Sequence, residues 1–575
     1  MHSCPSCGGT DHQRRSSKLC PHYRPRLSRL HAESEHTKTS TVTVNIGFET
    51  LLADNHLKET IQDRVYRASD IFIEGARALL GFVLHQISNN RPIPDIRFGA
   101  HGLMRQFFAG VGSTHSQTRN VARLTRRNTD VENFFQHHYT PLRPQELSWT
   151  DIRGMDHTIA HIAHQYHICC KNHVVSNLPR KLALWFKHKL RKMNYGMSEH
   201  QLSESAQIAM NALVNPNDLA ADMQSLQLKR KPRRRIRRCV KKVRDKLGGL
   251  PFETKTMESR WHEYLPLMAM ILKTFTKNTT HYSQNQKGPQ LRLFSLLPVP
   301  SFKTKHLLID TQVLRDIIKD ANLDGLVVPG CGEFQTEAME WWQRFFNIKK
   351  VTTAQRRFAY SISTDGVQCC VHLTREKIVM KENDYGFKFD KSGYQPLEIG
   401  KGTKVIGIDP NIGLFFGAFW GHDERYHDFN INEPDDIKAS RLVYKTSRWR
   451  HESGAIRSTH KSNQWIDSYG QGGEMRTTFS QLPTPCTSDW AGYTLHLTYV
   501  FAHYNYIVGF FRQKKWRRLR WKTFIRRQKA YVKVANMLKQ ADDGGKFDPT
   551  TIVVYGGHYK SGFNRKGPPP PPNKK

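Results

Sequence analysis

Residues 404–421 read KVIGIDPNIGLFFGAFWG. Val405 to Ile408 form an apolar run of strand length that closes on Asp409. Pro410 and Asn411 supply a turn, and Leu414 to Trp420 form a second apolar run. Two such runs around a Pro-Asn turn predict a buried hairpin. Its first strand ends on a carboxylate. A carboxylate fixed at the end of a buried strand can hold a hard divalent cation, so Asp409 is the candidate catalytic residue and magnesium ligand. The reading of the chain turns on where its partners lie.

At 575 residues the chain has room for several domains, and an apolar fraction of 38% allows sizeable cores, which excludes a disordered protein. Eighty-eight Lys and Arg stand against 50 Asp and Glu, a formal charge of +38. An excess of that size speaks of partners, and nucleic acid fits it better than a small anion. A structural basic protein is the plain alternative. The opening MHSCPSCGGTDHQRR lacks the apolar core of a signal peptide. The longest apolar stretch, Tyr493 to Phe511, is interrupted by His496, His503 and Asn505 and predicts a buried helix, so no membrane partner is expected. Ten cysteines, three of them clustered near the start, predict a reducing compartment with metal binding.

CPSCGGTDHQRRSSKLCPH places Cys4, Cys7, His12 and Cys20 at spacings of two, four and seven intervening residues. Two thiolates two residues apart grip a tetrahedral zinc, and a His and a third Cys close the site. The first three positions follow zinc-knuckle spacing; the last gap is longer, and His22 is an alternative to Cys20. With all positions filled such a zinc is structural, and Arg14, Arg15 and Lys18 would set positive charge against a phosphate backbone. Free cysteines are the competing reading.

From Glu49 to about Lys287 the apolar residues recur at helical spacing. His157, His161 and His164, with Cys169 and Cys170 nearby, have metal-binding spacing but no accompanying carboxylate, and a polar helix face explains them equally well. KRKPRRRIRRCVKKVRDK, Lys229 to Lys246, holds twelve basic residues in eighteen, with Asp245 the one acid. Arg233, Arg234, Arg235, Arg237 and Arg238 are therefore candidate nucleic-acid contacts, at a density that importin also reads as a nuclear signal.

Further on, SFKTKHLLIDTQVLRDIIKD reads strand, cap at Asp310 or Thr311, helix. RRFAYSISTDGVQCCVHLTRE is two β-rich runs about Thr364-Asp365-Gly366, a hairpin. FFRQKKWRRLRWKTFIRRQKAYVKVANML carries ten basic residues between Arg512 and Lys529. Lys514, Lys515, Arg517, Arg518, Arg520, Arg526 and Arg527 would face nucleic acid, while Trp521, Ile525, Val532 and Ala535 line an inward face.

The motifs LLIDTQVLRDII, FAYSISTDGVQCCVHL, KVIGIDPNIG and KKWRRLRWKTFIRRQKA, in this order, resemble the Fanzor family, eukaryotic relatives of TnpB and of type V CRISPR effectors. The resemblance runs from roughly Thr41 to Pro568. It implies an RNA-guided DNA endonuclease lineage, in the nucleus, with guide RNA and target DNA as partners. It implies a multidomain α+β protein with a helical recognition domain, a β-barrel wedge domain and a RuvC (RNase H-like) α/β domain. The expected boundaries are a zinc knuckle (1–25), a basic linker (26–40), a first wedge strand (41–48) and the recognition domain (49–295). The wedge (296–400), an incomplete RuvC-like domain with a basic helical insertion (401–567) and a Pro-rich tail (568–575) follow. The knuckle is not part of the expected family core.

RNase H-like nucleases hold their first metal ligand where Asp409 stands, and RuvC domains add a Glu and a second Asp along the chain. The strand expected to carry the Glu is within Thr550 to Gly562, which offers Gly556 and Gly557 instead. No Asp or Glu follows Asp548. One carboxylate does not hold two magnesium ions. The expectation is therefore a guide-binding protein deficient in cleavage as written. An active magnesium-dependent endonuclease is the alternative if the reading frame continues, and a binding remnant or fossil is the other.

Overall fold

The computed structural model describes residues 39–99, 103–111, 129–144, 147, 151–192, 196–215, 230–282, 291–376, 405–409, 414–421, 441–470, 473–540 and 552–555. The fold is mixed α+β, helix-rich, with two four-stranded sheets. The chain divides into two compact units, one from Met1–Gln62 and His306–Leu397, the other from Asp63–Lys305 and Glu398–Lys575.

In the first unit β1 (Thr39–Gly47), β2 (Leu307–Asp310), β3 (Arg357–Thr364) and β4 (Gln368–Glu376) form an antiparallel sheet in the order β1-β4-β3-β2. Distant in sequence, β1 pairs with β4 from Thr39↔Glu376 to Gly47↔Gln368. Along β4, Cys369, Val371 and Leu373 are buried while Cys370 and His372 are half-exposed, the period of two that a one-sided sheet requires. The hairpin turn is the expected one. Gly366 takes a φ of 80°, and the Asp365 carboxylate accepts from the N–H groups of Val367 and Gln368, each at 3.1 Å. The Asp310 carboxylate caps helix Thr311–Ala321, accepting from the Val313 N–H at 2.9 Å. Trp342 packs edge-on against Phe358 with ring centroids 5.0 Å apart and donates its indole N–H to Thr311 Oγ1 at 3.2 Å.

The second unit is built on the 31-residue helix Lys58–Ser88 from Asp63 onward. Its apolar side chains, among them Val65, Ile71, Leu79 and Val83, are buried on almost every side, the mark of a core helix. By length and composition alone it could cross a membrane, but 89% of that apolar window is buried within the protein. Gly81 is needed where Trp490 approaches: a Cβ there would lie 2.9 Å from the indole ring. The stretch Tyr493 to Phe511 is not the single helix expected. It forms two, Trp490–Ala502 and Tyr504–Arg512, because His503 leaves the helical region at φ −112° and ψ 9°.

The second sheet contains β5 (Val405–Asp409), β6 (Leu414–Gly421), β7 (Arg441–Lys445) and β8 (Ile552–Tyr555), in the order β7-β6-β5-β8. The quoted stretch is the hairpin its sequence predicts, paired from Val405↔Gly421 to Asp409↔Gly417. β8 then lies parallel against the other side of β5, from Val405↔Ile552 to Ile408↔Tyr555. A parallel neighbour needs a crossover connection, and the helices between β7 and β8 provide it.

Candidate nucleic-acid interface

Asp409 is the last residue of β5. Because β8 is parallel to β5, the carboxyl ends of both strands reach the same sheet edge, with Tyr555 in register beside Ile408. The residue after Tyr555 is Gly556. Gly556 and Gly557, the later acid Asp548, and Asp428 and Glu433 lie outside the described residues.

The basic stretch is a helix, Arg230–Leu247, with eleven Lys and Arg and the single acid Asp245. Pro232, Ile236, Cys239, Val240, Val243 and Leu247 form one buried stripe at helical spacing, which packs on helices Asp156–Arg191 and Glu199–Val214. Burying that stripe fixes the opposite face outward. Arg234, Arg237 and Arg238 are exposed, with Lys241 and Lys242 beside them, while Arg233 and Arg235 are half-buried. The Arg233 and Arg235 Nε–H groups have no acceptor among the described residues. Arg244 is diverted to structure, donating to the Ala212 carbonyl at 2.6 Å. Burial and the nearby Lys242, Arg235 and Lys192 lower the pKa of Lys189, so the cationic field extends onto the end of the adjoining helix.

Helix Lys514–Gln540 divides its cations differently. Arg518 and Arg527 are exposed, as is Lys514, and Arg526 is half-buried against Gly454. Lys515 sits 5.2 Å from the centroid of the Trp465 ring. Arg517 overturns the expectation of an outward guanidinium: it is 2% exposed and donates to the Tyr66 hydroxyl at 2.7 Å. Arg520 is half-buried, with both terminal nitrogens donating to the Thr304 carbonyl at 3.1 Å. The inward face also differs. Trp516, Ala530 and Val534 are buried, whereas Val532 is 58% exposed and Ala535 is exposed. Trp521 and Phe524 stack on each other, half-buried, at 5.5 Å and 9°.

The preceding helix, Tyr504–Arg512, is tied to helix Lys58–Ser88 by a network that sequence reasoning missed. Arg512 pairs with Asp70, and the Tyr504 hydroxyl donates to Asp70 Oδ1 at 3.3 Å. One helical turn on, Glu74 pairs with Arg143 at 3.4 Å, both side chains being 3% exposed. Burial raises the Asp70 pKa to about 6 against the opposing pull of Arg512, and that of Glu74 to about 7 against Arg143. The available signal was periodic: Tyr66, Asp70, Glu74 and Arg77 recur at helical spacing on one face of the helix.

Cys4, Cys7, His12 and Cys20 lie outside the described residues. Among the described residues no group of three or more His, Cys, Asp or Glu is placed to hold a metal ion, so the His157–His161–His164 run forms no such site with described neighbours. Over residues 39–62 and 306–376, the described part of the first unit, nine Lys and Arg stand against twelve Asp and Glu, so the positive excess is carried elsewhere.

A family profile described as "Domain of unknown function (DUF8286)" matches residues 307–375, from the start of β2 to the penultimate residue of β4. No curated protein matches the chain.

Proposed function

We propose that this chain is a nuclear nucleic-acid-binding protein of the Fanzor lineage, which holds a guide RNA and its DNA target and, as these 575 residues, binds without cutting. The observation that carries the reading is the placement of β8 parallel to β5 with Asp409 at the shared edge. Open sheets take ligands at the carboxyl ends of neighbouring parallel strands, and a nuclease of this lineage would set its first carboxylate there. The one-sided cationic helix Arg230–Leu247 supports a polyanionic partner, and the same density of basic residues supports recognition by importin. In this reading the helices of 49–295 face an RNA–DNA duplex through its backbone, and the β1–β4 sheet belongs to the wedge.

Two-metal cleavage needs several carboxylates converging on the ions. The described residues do not fit a magnesium pair: among them Asp409 is the one acid at the carboxyl ends of β5 and β8. No cleavage step is derived from them. A zinc held by Cys4, Cys7, His12 and Cys20 would be structural and would add a basic loop to the binding surface.

The reading is tested by crosslinking the tagged full chain in a eukaryotic cell and sequencing the RNA that co-purifies. One structured RNA class should be enriched over total RNA. A pool that mirrors total RNA would contradict guide binding.

A further inference from the structure

The sequence puts Trp521, Ile525, Val532 and Ala535 on one face of helix Lys514–Gln540, at successive intervals of four, seven and three residues. In the structure that face turns outward. Val532 is 58% exposed and Ala535 is exposed, while Trp521 and Ile525 are half-buried; the helix buries Trp516, Ala530 and Val534 instead. Phe524 flanks the stripe on one side, its ring stacked on that of Trp521 at 9°. Among the described residues it is the one ring or cation against the indole, so the second face of the Trp521 ring has no such partner.

On the other flank Arg518, Lys522 and Lys529 are exposed. At 3.6 residues per turn, positions three before, one after and eight after Trp521 fall on one side of its stripe. The 27-residue helix carries eleven Lys and Arg and neither Asp nor Glu. A carboxylate does approach its other end, where Glu452 pairs with Lys533 at 2.7 Å and Trp449 packs on Tyr531 at 4.7 Å. The Trp521 end is therefore the one that combines a half-exposed indole with exposed cations. A protein partner for such a surface would have to match apolar side chains with acids at its rim. Unpaired bases do so without any special sequence: each has a flat π-face, and the phosphates between them supply the negative charge. In a duplex those faces are hidden in the stack.

We propose that Trp521, backed by Phe524, is a stacking platform for an unpaired base of single-stranded nucleic acid, with Arg518, Lys522 and Lys529 holding the adjoining phosphates. The inference rests on the proposed function and deepens it, naming the unpaired part of the bound nucleic acid as what this surface takes. Leucine keeps an apolar side chain and removes the aromatic face, so Trp521→Leu separates stacking from packing, and Trp521→Phe returns a ring.

The test uses the full chain with two probes, a labelled oligothymidylate and a duplex DNA, each titrated against salt. Trp521→Leu should weaken oligothymidylate binding by about tenfold and leave duplex affinity unaltered. Its salt slope should match that of the parent, because no charge is lost. Trp521→Phe should restore most of the single-strand affinity. Equal single-strand affinity in Trp521→Leu and the parent overturns the platform and leaves the nucleic-acid reading standing. A parent that binds neither probe overturns both. Loss of single-strand affinity in Trp521→Leu, from a chain that enriches no RNA class, keeps the platform and removes guide binding. A parent that self-associates through Trp521, with oligothymidylate binding indifferent to the substitution, makes the stripe an interface between copies and overturns the platform. If Trp521→Leu does not fold, indole emission gives a second readout: a stacked base quenches it, so oligothymidylate should quench the parent more than Trp521→Phe. Equal quenching in those two is equally fatal.

Discussion

The Arg517 guanidinium donates to the Tyr66 hydroxyl at 2.7 Å and lies 5.1 Å from the centroid of the Tyr66 ring. A cation in one of the most basic stretches of the chain is thus spent on holding two helices together, while its neighbour Arg518 stays exposed. Adjacent arginines therefore have separable roles. Arg517→Ala should destabilise the protein by about 2–3 kcal/mol, the cost of a lost buried charged hydrogen bond, and leave the salt slope of nucleic-acid binding unchanged. Arg518→Ala should shallow that slope with less than about 0.5 kcal/mol of stability lost. Denaturant melts and salt titrations of both variants decide it; a change of slope in Arg517→Ala alone would reverse the assignment.

Helix Arg230–Leu247 should split the same way by face. Neutralising Arg234, Arg237 and Arg238 together should lower the salt slope for duplex binding by about two to three, provided each meets a phosphate. Ile236→Ala, at a position 1% exposed, should cost about 2–4 kcal/mol and alter the slope little. An unchanged slope in the triple variant would make this helix a nuclear signal without a direct contact role.

The buried carboxylates predict a pH dependence of definite sign. Asp70 and Glu74 are raised to about 6 and about 7, so the folded chain binds their protons more tightly than the unfolded chain does. Their contribution to stability is fully present below the ordinary carboxylate range, near pH 4, and is lost as pH rises through about 6 and 7. Melts across that range should show it, and Asp70→Asn should flatten the lower part. A stability that rises uniformly from pH 4 to 8 in the parent, or is unaltered by Asp70→Asn, would contradict the burial argument.

The N-terminal cysteines predict a single structural zinc in the full chain. Cys4→Ser should remove more than half of it by metal analysis, with thermal stability of the rest of the chain unaffected. Full zinc retention would return Cys4, Cys7, His12 and Cys20 to ordinary thiols and imidazole.

Much of the fold was legible wherever the signal was local. The turn at Thr364-Asp365-Gly366, the Asp310 cap and the hairpin ending on Asp409 each rest on chemistry spanning a few residues, and each is present. Distance and burial were harder. Nothing local to Thr39–Gly47 says that it pairs with Gln368–Glu376. The inward face of Lys514–Gln540 was misjudged because long cationic stems cover apolar surface as well as leucines do, so a buried Arg517 reads as solvent-facing. The break at His503 is a tertiary effect with no Gly or Pro to announce it. Of the candidate site, the cationic helices were readable from charge density.

The most direct test of the central claim is a single assay on the purified 575-residue chain with its co-purifying RNA, magnesium and matching duplex DNA. The account predicts guide-dependent binding without strand cleavage, and Asp409→Ala should leave that binding nearly unchanged or slightly tighter, as expected when a negative charge near phosphates is removed. Guide-dependent cutting that disappears in Asp409→Ala would show that further carboxylates of this chain complete the site, and the claim of binding without cutting would be wrong.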